Sequence, residues 1–508
     1  MKNKQWWQQA VIYQIYPKSF YDSNNDGIGD LQGIIQKLDY LQNLGIDVIW
    51  LCPIYQSPMQ DNGYDVANYY EINEMFGTMA DFDLLIVESK KRKIKIMMDI
   101  VLNHTSDQHQ WFLESKKNKT NCYHDYYIWR DQRNDLKSIF GGSAWTFNED
   151  LQQYYFHMFA DQQPDLNWDN EKVRLEIAKI INFWVTKGVV GFRFDVIDLI
   201  GKNIDKKILA NGPNLHQYIK ELRANSWKTD EIVTVGECWG ASLETGIQYS
   251  KPQAKELSMI FQFEHIAFNY DKELNKWKKD PFDLVTFKKI ITKWQQGLQN
   301  QGWNSLFFEN HDLPRSVSVF GDPHYFWSAS AKLLAGVNLS LQGTPYIYQG
   351  QEIGMTNVKN WALSDYQDLE IHNAYKELVE EKKLLTASEF MKSVEEVGRD
   401  NARTGFQWSN ELNAGFTTAK PWIKGNDNYL EINVENQINT PNSILSFYQK
   451  MIKLRKDTQY STLFSDGDFE IIDLYHPQLM IYTRKQIIKN YYSLVIDLQM
   501  SRIIIQIF

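Results

Sequence analysis

Four short segments end in residues able to carry charge or move protons: Asp99-Ile-Val-Leu-Asn-His104, Gly191-Phe-Arg-Phe-Asp195, Val235-Gly-Glu237 and Glu309-Asn-His-Asp312. A single Asp is most often a helix cap or a surface charge. Acids and histidines closing four separate segments point instead to one shared site. Two carboxylates flanking a bond, one ionised and one protonated, are the equipment for glycoside hydrolysis. Asp195 follows Arg193 by two residues on the same strand face, so it is expected to be held ionised and to serve as nucleophile. Glu237, close to the charges of Asp195 and Asp312, is expected to be pushed towards its protonated form, which suits the acid/base. Asp312 then bonds sugar hydroxyls and helps stabilise an oxocarbenium-like transition state.

Sugar rings have apolar faces that stack on aromatic planes, and Phe, Tyr and Trp make up 14% of this chain. Tyr64, Trp239 and Phe159 are the candidates. Tyr64 leads, because it lies in the turn-like stretch Gln60-Asp-Asn-Gly-Tyr-Asp65.

These side chains need a scaffold that brings distant segments together. Eight β-rich runs, at 11–16, 46–52, 94–101, 191–196, 232–236, 261–264, 305–308 and 345–348, alternate with stretches of helical spacing. Within residues 31–44, for example, Leu31, Ile34, Ile35, Leu38, Leu41 and Leu44 recur at three and four. Near-continuous apolar strands alternating with helices are what a parallel sheet covered on both faces requires. The reading is an α/β protein with a (β/α)8 TIM barrel, whose strand ends at the C-terminal face carry the site.

The chain has 508 residues, too many for one ordinary core. The barrel takes residues 1–104 and 171–456, an inserted domain rich in aromatic and polar residues takes 105–170, and a second insertion at about 355–408 follows the eighth strand. Residues 457–508 alternate as antiparallel strands at 469–474, 479–482 and 491–496 and form a short C-terminal β domain. The tail MSRIIIQIF leaves that sheet short, with an apolar edge at 503–508.

Lys and Arg number 54 against 63 Asp and Glu, a net charge of −9. No positive field attracts nucleic acid or an anionic membrane. Three scattered cysteines, Cys52, Cys122 and Cys238, form neither a disulfide framework nor a zinc site. With no signal-peptide core and no apolar run of spanning length, the expectation is a cytoplasmic, monomeric protein. Cys238 has acidic neighbours that disfavour a thiolate, and the remaining histidines show no metal-ligand spacing.

Asp22-Ser-Asn24-Asn-Asp26-Gly-Ile28-Gly-Asp30 reproduces the early positions of an EF-hand loop, but Gly33 stands at the twelfth, where that loop has its bidentate Glu. The spacing alone leaves two readings open, a cation site and an Asx-rich turn.

In their order along the chain, DIVLNH (residues 99–104), QPDLNW (163–168), GFRFDV (191–196), VGE (235–237) and ENHD (309–312) resemble the signature segments of the alpha-amylase superfamily, glycoside hydrolase family thirteen. AVIYQIYPKSFYDSNNDGIGDLQGI, QDNGYDVANY, GTPYIYQGQEIGMTN and RDNARTGFQW are similar to its oligo-1,6-glucosidase branch, over roughly residues 7–482, and ECWG, FQFEH and HDLPR to the glucan 1,6-α-glucosidases within it.

The resemblance implies an exo-acting α-1,6-glucosidase with a retaining mechanism, acting on isomaltooligosaccharides or dextran. Asp195 is then the nucleophile, Glu237 the acid/base and Asp312 the third acid. It implies that Asp61, Tyr64, His104, Gln163, Arg193, His311 and Arg403 contact the terminal glucose, that Val196 accompanies α-1,6 preference, and that Trp239 and Lys276 line the next subsite. It also implies a structural Ca2+ on Asp22, Asn24, Asp26, the Ile28 carbonyl and Asp30. Thr404-Gly-Phe406 departs from the branch's usual Thr-Pro-Met. The rivals are a trehalose-6-phosphate hydrolase, which needs a cationic phosphate pocket, and a sucrose isomerase, which needs a loop motif not found after HDLPR. From other classes come a silent sugar-binding relative, which typically lacks one of the three acids, and a metallohydrolase, for which no His pair stands ready.

Overall fold

The computed structural model describes residues 4–485 together with the backbone of residues 492–497 and 502–507. All eight expected strands form: β1 (Ile12–Ile15), β2 (Val48–Leu51), β3 (Lys95–Val101), β4 (Gly191–Asp195), β5 (Val233–Cys238), β6 (Met259–Gln262), β7 (Ser305–Leu306) and β8 (Thr344–Tyr348). They pair in parallel in the order β6-β5-β4-β3-β2-β1-β8-β7. A parallel bridge between Ile260 and Asn304 joins the two ends of the sheet, so the barrel closes.

Closure gives each strand two buried faces, and the period of two sorts its side chains between them. Ile12, Val48, Trp50, Met97, Val233, Val235, Met259, Phe261 and Tyr346 fill the interior. Tyr13, Ile49, Leu51, Ile96, Met98, Ile100, Phe192 and Phe194 pack outward with the helices. Gly191 is needed inside, where an added Cβ would stand 2.6 Å from Val233 Cγ1 and 2.9 Å from Met97 Cε. The crossover helix Glu171–Thr186 shows how the outer layer is held. Asn170 caps it by accepting from Lys172 N–H, and it buries Val173, Ile177, Ile180, Ile181 and Trp184, worth on the order of 10 kcal/mol before entropy is counted.

The same alternation continues upward past the apolar plug. Two residues above Met97 comes Asp99, two above Arg193 comes Asp195, and two above Val235 comes Glu237. Register sets Asp99 beside Arg193, and Arg193 beside Val235. The inward row therefore changes from hydrocarbon to charge at the C-terminal mouth.

Between β3 and β4 the chain leaves the barrel and builds a three-stranded antiparallel sheet in which Gln153–Phe156 lies between Trp129–Arg130 and Trp145–Asn148. It returns through bridges pairing His104 with Asp165 and Tyr127 with Leu166. After β8 the helices Leu369–Tyr375 and Ala387–Val397 pack with a hairpin, Tyr270–Asp271 and Asn275–Lys279, around Trp277, Tyr366, Ile371 and Phe390. That hairpin carries no clear alternation in the sequence.

The C-terminal sheet has four strands, Asp468–Ile472, Leu479–Lys485, Tyr492–Asp497 and Arg502–Ile507, all antiparallel neighbours in that order. The sequence reading had three. The tail forms the fourth, pairing Ile505 with Leu494, because β-branched residues fit a pleated ladder wherever a partner strand is open. The covering of the apolar side chains at 503–508 lies outside the described residues. Among the described residues no helix is long and apolar enough to cross a membrane.

Candidate active site

Arg193 is the centre of the mouth. Its guanidinium, 1% exposed, holds Asp99 Oδ1 and Asp195 Oδ1 each at 2.8 Å from one nitrogen and the Glu237 carboxylate from the other. Asp99 is further bonded by Tyr64 Oη at 3.0 Å and Trp50 Nε1 at 3.2 Å. Glu237 accepts from Trp239 Nε1 at 2.9 Å and from Val196 N–H at 3.3 Å.

One cation thus serves three carboxylates, and that corrects the expectation that Arg193 simply holds Asp195 ionised. Burial pushes the Asp195 carboxyl well above the usual carboxylate range. Arg193 opposes this, and the charges of Glu237, Asp99 and Asp312 add to it. Asp99 is raised as well, by burial first, against Arg193. Val196 takes φ 35°, a left-handed conformation unusual for a β-branched residue and costing about 1–3 kcal/mol. The bend aims its N–H at Glu237.

Asp312 sits in the opposite environment. Its Oδ2 lies 3.0 Å from His311 Nε2, and its Oδ1 lies 2.8 Å from Arg403 and 3.2 Å from Arg399. Burial alone would raise it, but these three partners bring it well below the ordinary carboxylate range. Burial likewise opposes charge on His311, yet the neighbouring Asp312 carboxylate raises it to about 10, while Gln14 Nε2 lies 2.9 Å from its Nδ1. Arg403 Nε also donates to the His311 carbonyl at 3.0 Å.

Above this floor is a cavity of about 330 Å³. Asp61, Tyr64, His104, Phe159, Asp195, Val196, Glu237, Trp239, Lys276 and Asp312 all reach its wall. Arg193, Gln163, His311 and Arg403 are buried behind it, bonded to wall residues. Gln163 Nε2 donates to Asp61 Oδ2 at 3.1 Å, and Phe159 packs on His104 with ring centroids 5.1 Å apart. Trp239 is 44% exposed and stacks on Phe263 at 3.8 Å, an aromatic plane at the rim. Lys276 Nζ, on the hairpin after β6, lies 2.6 Å from Glu370.

The sequence reading missed the residues that tie the rim to the floor. Arg399 bonds Asp368 side-on at 2.9 and 2.5 Å, reaches Glu370 at 3.2 Å, and bonds Asp312. Its signal lay in the same RDNAR segment that pointed to Arg403. Asp368 and Glu370 come from the second insertion, which has no periodicity to read. Asp198, three residues after Asp195, also lines the cavity, accepts from Gly240 N–H at 3.2 Å, and is raised to about 7, chiefly by burial. Cys238 is buried and its thiol is pushed up, first by burial and then by Asp198.

The 22–30 loop is held by its own carboxylates. Asp22 accepts from the N–H groups of Asn24, Asn25 and Gly27 and from Thr417 Oγ1; Asp26 accepts from Ile28 N–H; Asp30 accepts from Ser23 and caps the helix Leu31–Gln36 at Gly33. Gly27, at φ 94°, lets the loop press on the chain at Lys420, whose carbonyl would stand 2.1 Å from an added Cβ. Among the described residues no three His, Cys, Asp or Glu side chains gather as a metal-binding group.

The geometry has counterparts of known kind. Residues 14–463 match the family model described as the alpha-amylase catalytic domain. A glucan 1,6-alpha-glucosidase of Streptococcus pneumoniae is 50% identical over 484 residues, covering 95% of this chain and 89% of that protein. An oligo-1,6-glucosidase of Heyndrickxia coagulans is 48% identical over 503 residues, covering 95% and 90%. The crystal structure of an isomaltulose synthase from Klebsiella sp. LX3 superposes with a TM-score of 0.94 at 43% identity, covering 98% of this chain and 92% of that one. With its barrel, its charged mouth and a match across most of its length, this chain belongs to the alpha-amylase family of glycoside hydrolases.

Proposed function

We propose that this protein is a retaining, exo-acting α-glucosidase that cleaves α-1,6 bonds at the non-reducing ends of isomaltooligosaccharides and releases glucose. One observation carries the mechanism. Asp195 and Glu237 are bonded to the two terminal nitrogens of one guanidinium, which draws the two carboxyls together and so supports the closely spaced arrangement that goes with retention rather than the wider inverting one. Asp195 attacks the anomeric carbon and forms the glycosyl-enzyme. Glu237 gives its proton to the leaving oxygen, then takes one from the incoming water. Asp312, kept ionised by His311, Arg399 and Arg403, binds the sugar hydroxyls and offsets the charge of the transition state.

The linkage reading is supported by the names of the two sequence relatives and by Val196, whose side chain stands at the cavity wall beside the acid. Trp239 and Lys276 line the cavity, which supports reading them as contacts to the second sugar. Asp61, Tyr64, His104, Phe159, Gln163, Arg193, His311 and Arg403 shape the first. A structural Ca2+ in the 22–30 loop belongs to the same reading, supported by the oxygen donors of Asp22, Asn24, Asp26, Asp30 and the Ile28 carbonyl at EF-hand spacing. So does a cytoplasmic location, supported by three free cysteines.

The test is a hydrolysis panel of isomaltose, isomaltotriose, dextran, maltose, sucrose and trehalose-6-phosphate with wild type and Asp195→Asn. Glucose is expected from the isomalto series. Cleavage of trehalose-6-phosphate with isomaltotriose untouched overturns the substrate, rearrangement of sucrose in place of hydrolysis overturns the reaction, and full activity of Asp195→Asn overturns the mechanism.

A further inference from the structure

Behind the pocket wall runs a line of buried polar side chains that the mechanism does not use. Lys202, on the segment after β4, sets its ammonium 2.8 Å from the Asp165 carboxylate and 2.6 Å from Asn103 Oδ1. Asn103 Nδ2 lies 3.1 Å from Nδ1 of His104, and Nε2 of His104 lies 3.1 Å from the Tyr64 carbonyl. Asn103 and Asp165 are fully buried, and His104 is 1% exposed.

The proton positions along this line follow from its charged end. An ammonium can only donate, so the Asn103 atom facing Lys202 is its carbonyl oxygen. The amide nitrogen is thereby turned towards His104, and it too can only donate. Nδ1 of His104 must accept and carries no proton. Burial, the largest influence, lowers the His104 pKa, so the ring is neutral and its one proton sits on Nε2. That N–H faces the Tyr64 carbonyl. Gln163 Nε2, 3.2 Å from the same ring nitrogen, gives one of its two protons to Asp61, and a ring nitrogen that already bears a proton does not accept the other.

We propose that Lys202 is a positioning residue that fixes the Nε2–H tautomer of His104 through Asn103, so that the one ring proton stays on the side of the Tyr64 carbonyl and the pocket, where it can be shared with a sugar hydroxyl. Only the sugar rests on the glucosidase reading; the tautomer stands on the bonds alone. Lys202 also ties the barrel to Asp165 of the 105–170 segment, and that tie by itself would affect stability without touching the tautomer.

The test reads both. In protein labelled with 15N-histidine, with His104→Gln assigning the signal, wild type is expected to show a pyridine-like Nδ1 and a pyrrole-like Nε2. Asn103→Asp, which leaves Lys202 paired and presents only acceptors to the ring, is expected to move the proton to Nδ1. Lys202→Met frees Asn103 to flip and is expected to give a mixture, with kcat/KM on isomaltose down about tenfold, the value of one hydrogen bond; Lys202→Arg restores both. A wild-type ring protonated on Nδ1, or a Lys202→Met protein that keeps the pure Nε2–H signal and kcat/KM within about twofold whatever its melting temperature, overturns the proposal. If Lys202→Met does not fold, Asn103→Asp decides: an unchanged tautomer there overturns it. If wild type cleaves no glucoside, the glucosidase reading fails while the NMR result still judges the tautomer.

Discussion

Tyr64 lies flat against His311, with ring centroids 5.2 Å apart and planes within 7°. The ring therefore has an aromatic face on one side and the Asp312 carboxylate at its edge, and both favour its charged form. His311 is raised from the ordinary 6.5 to about 10. A basic group raised on folding contributes stability that is fully present below its unfolded pKa and is lost as pH rises through the folded one. The expected result is that wild type melts higher than His311→Gln at pH 6, with the difference shrinking steadily towards pH 10. A difference that stays constant from pH 6 to 10 in thermal scans counts against the pair.

Asp195 has the reverse sign. Its folded pKa is raised, so its charge costs stability above the ordinary value of about 3.9, and the cost vanishes below it, where both states are protonated. Asp195→Asn is expected to be inactive, yet to melt above wild type at pH 7, with the gain disappearing near pH 4. In wild type, kcat/KM is expected to fall on the acid side at a higher pH than an ordinary Asp would give, because Asp195 in its proposed role as nucleophile must be ionised.

Removing Arg399 leaves Asp368, 1% exposed, without its side-on partner. Arg399→Ala is expected to lose about 3–5 kcal/mol of stability and to lower kcat/KM on isomaltose by at least tenfold, since Asp312 also loses a bond. Arg399→Lys is expected to recover little, because a single ammonium does not reproduce the fork. Denaturant titration together with steady-state kinetics reads both effects.

Val196 borders Glu237, the proposed acid/base, from a strained backbone. Val196→Thr is expected to shift the ratio of isomaltose to maltose hydrolysis by about tenfold towards maltose, in the range that one changed pocket contact can supply, about 1–3 kcal/mol. Equal losses on both sugars would remove Val196 as a determinant of linkage.

If the 22–30 loop takes Ca2+, stripping with a chelator is expected to lower the melting temperature, and added Ca2+ is expected to restore it, with kcat unchanged in the folded protein. Asp26→Ala is expected to abolish the Ca2+ response. Identical melting curves with and without metal would leave the loop to its Asx bonds alone.

The strands, the barrel and the position of Asp195 and Glu237 at its mouth were legible in the sequence because each depends on a local rule, whereas Asp312, six residues past the end of β7, was legible only through its segment ENHD. Apolar runs must be buried on both faces, inward positions recur every second residue, and charge at the end of such a row must emerge at the mouth. Arg399, Asp368 and Glu370 follow no local rule. Arg399 meets Asp312 across 87 residues and Asp368 across 31, and no periodicity announces those pairs. The proton balance also belonged to the tertiary structure alone. Sequence put Arg193 next to Asp195, but only the closed barrel brought Asp99 and Glu237 to the same guanidinium, and in a buried site the sharing of one cation among three carboxylates decides which of them is pushed towards its protonated form.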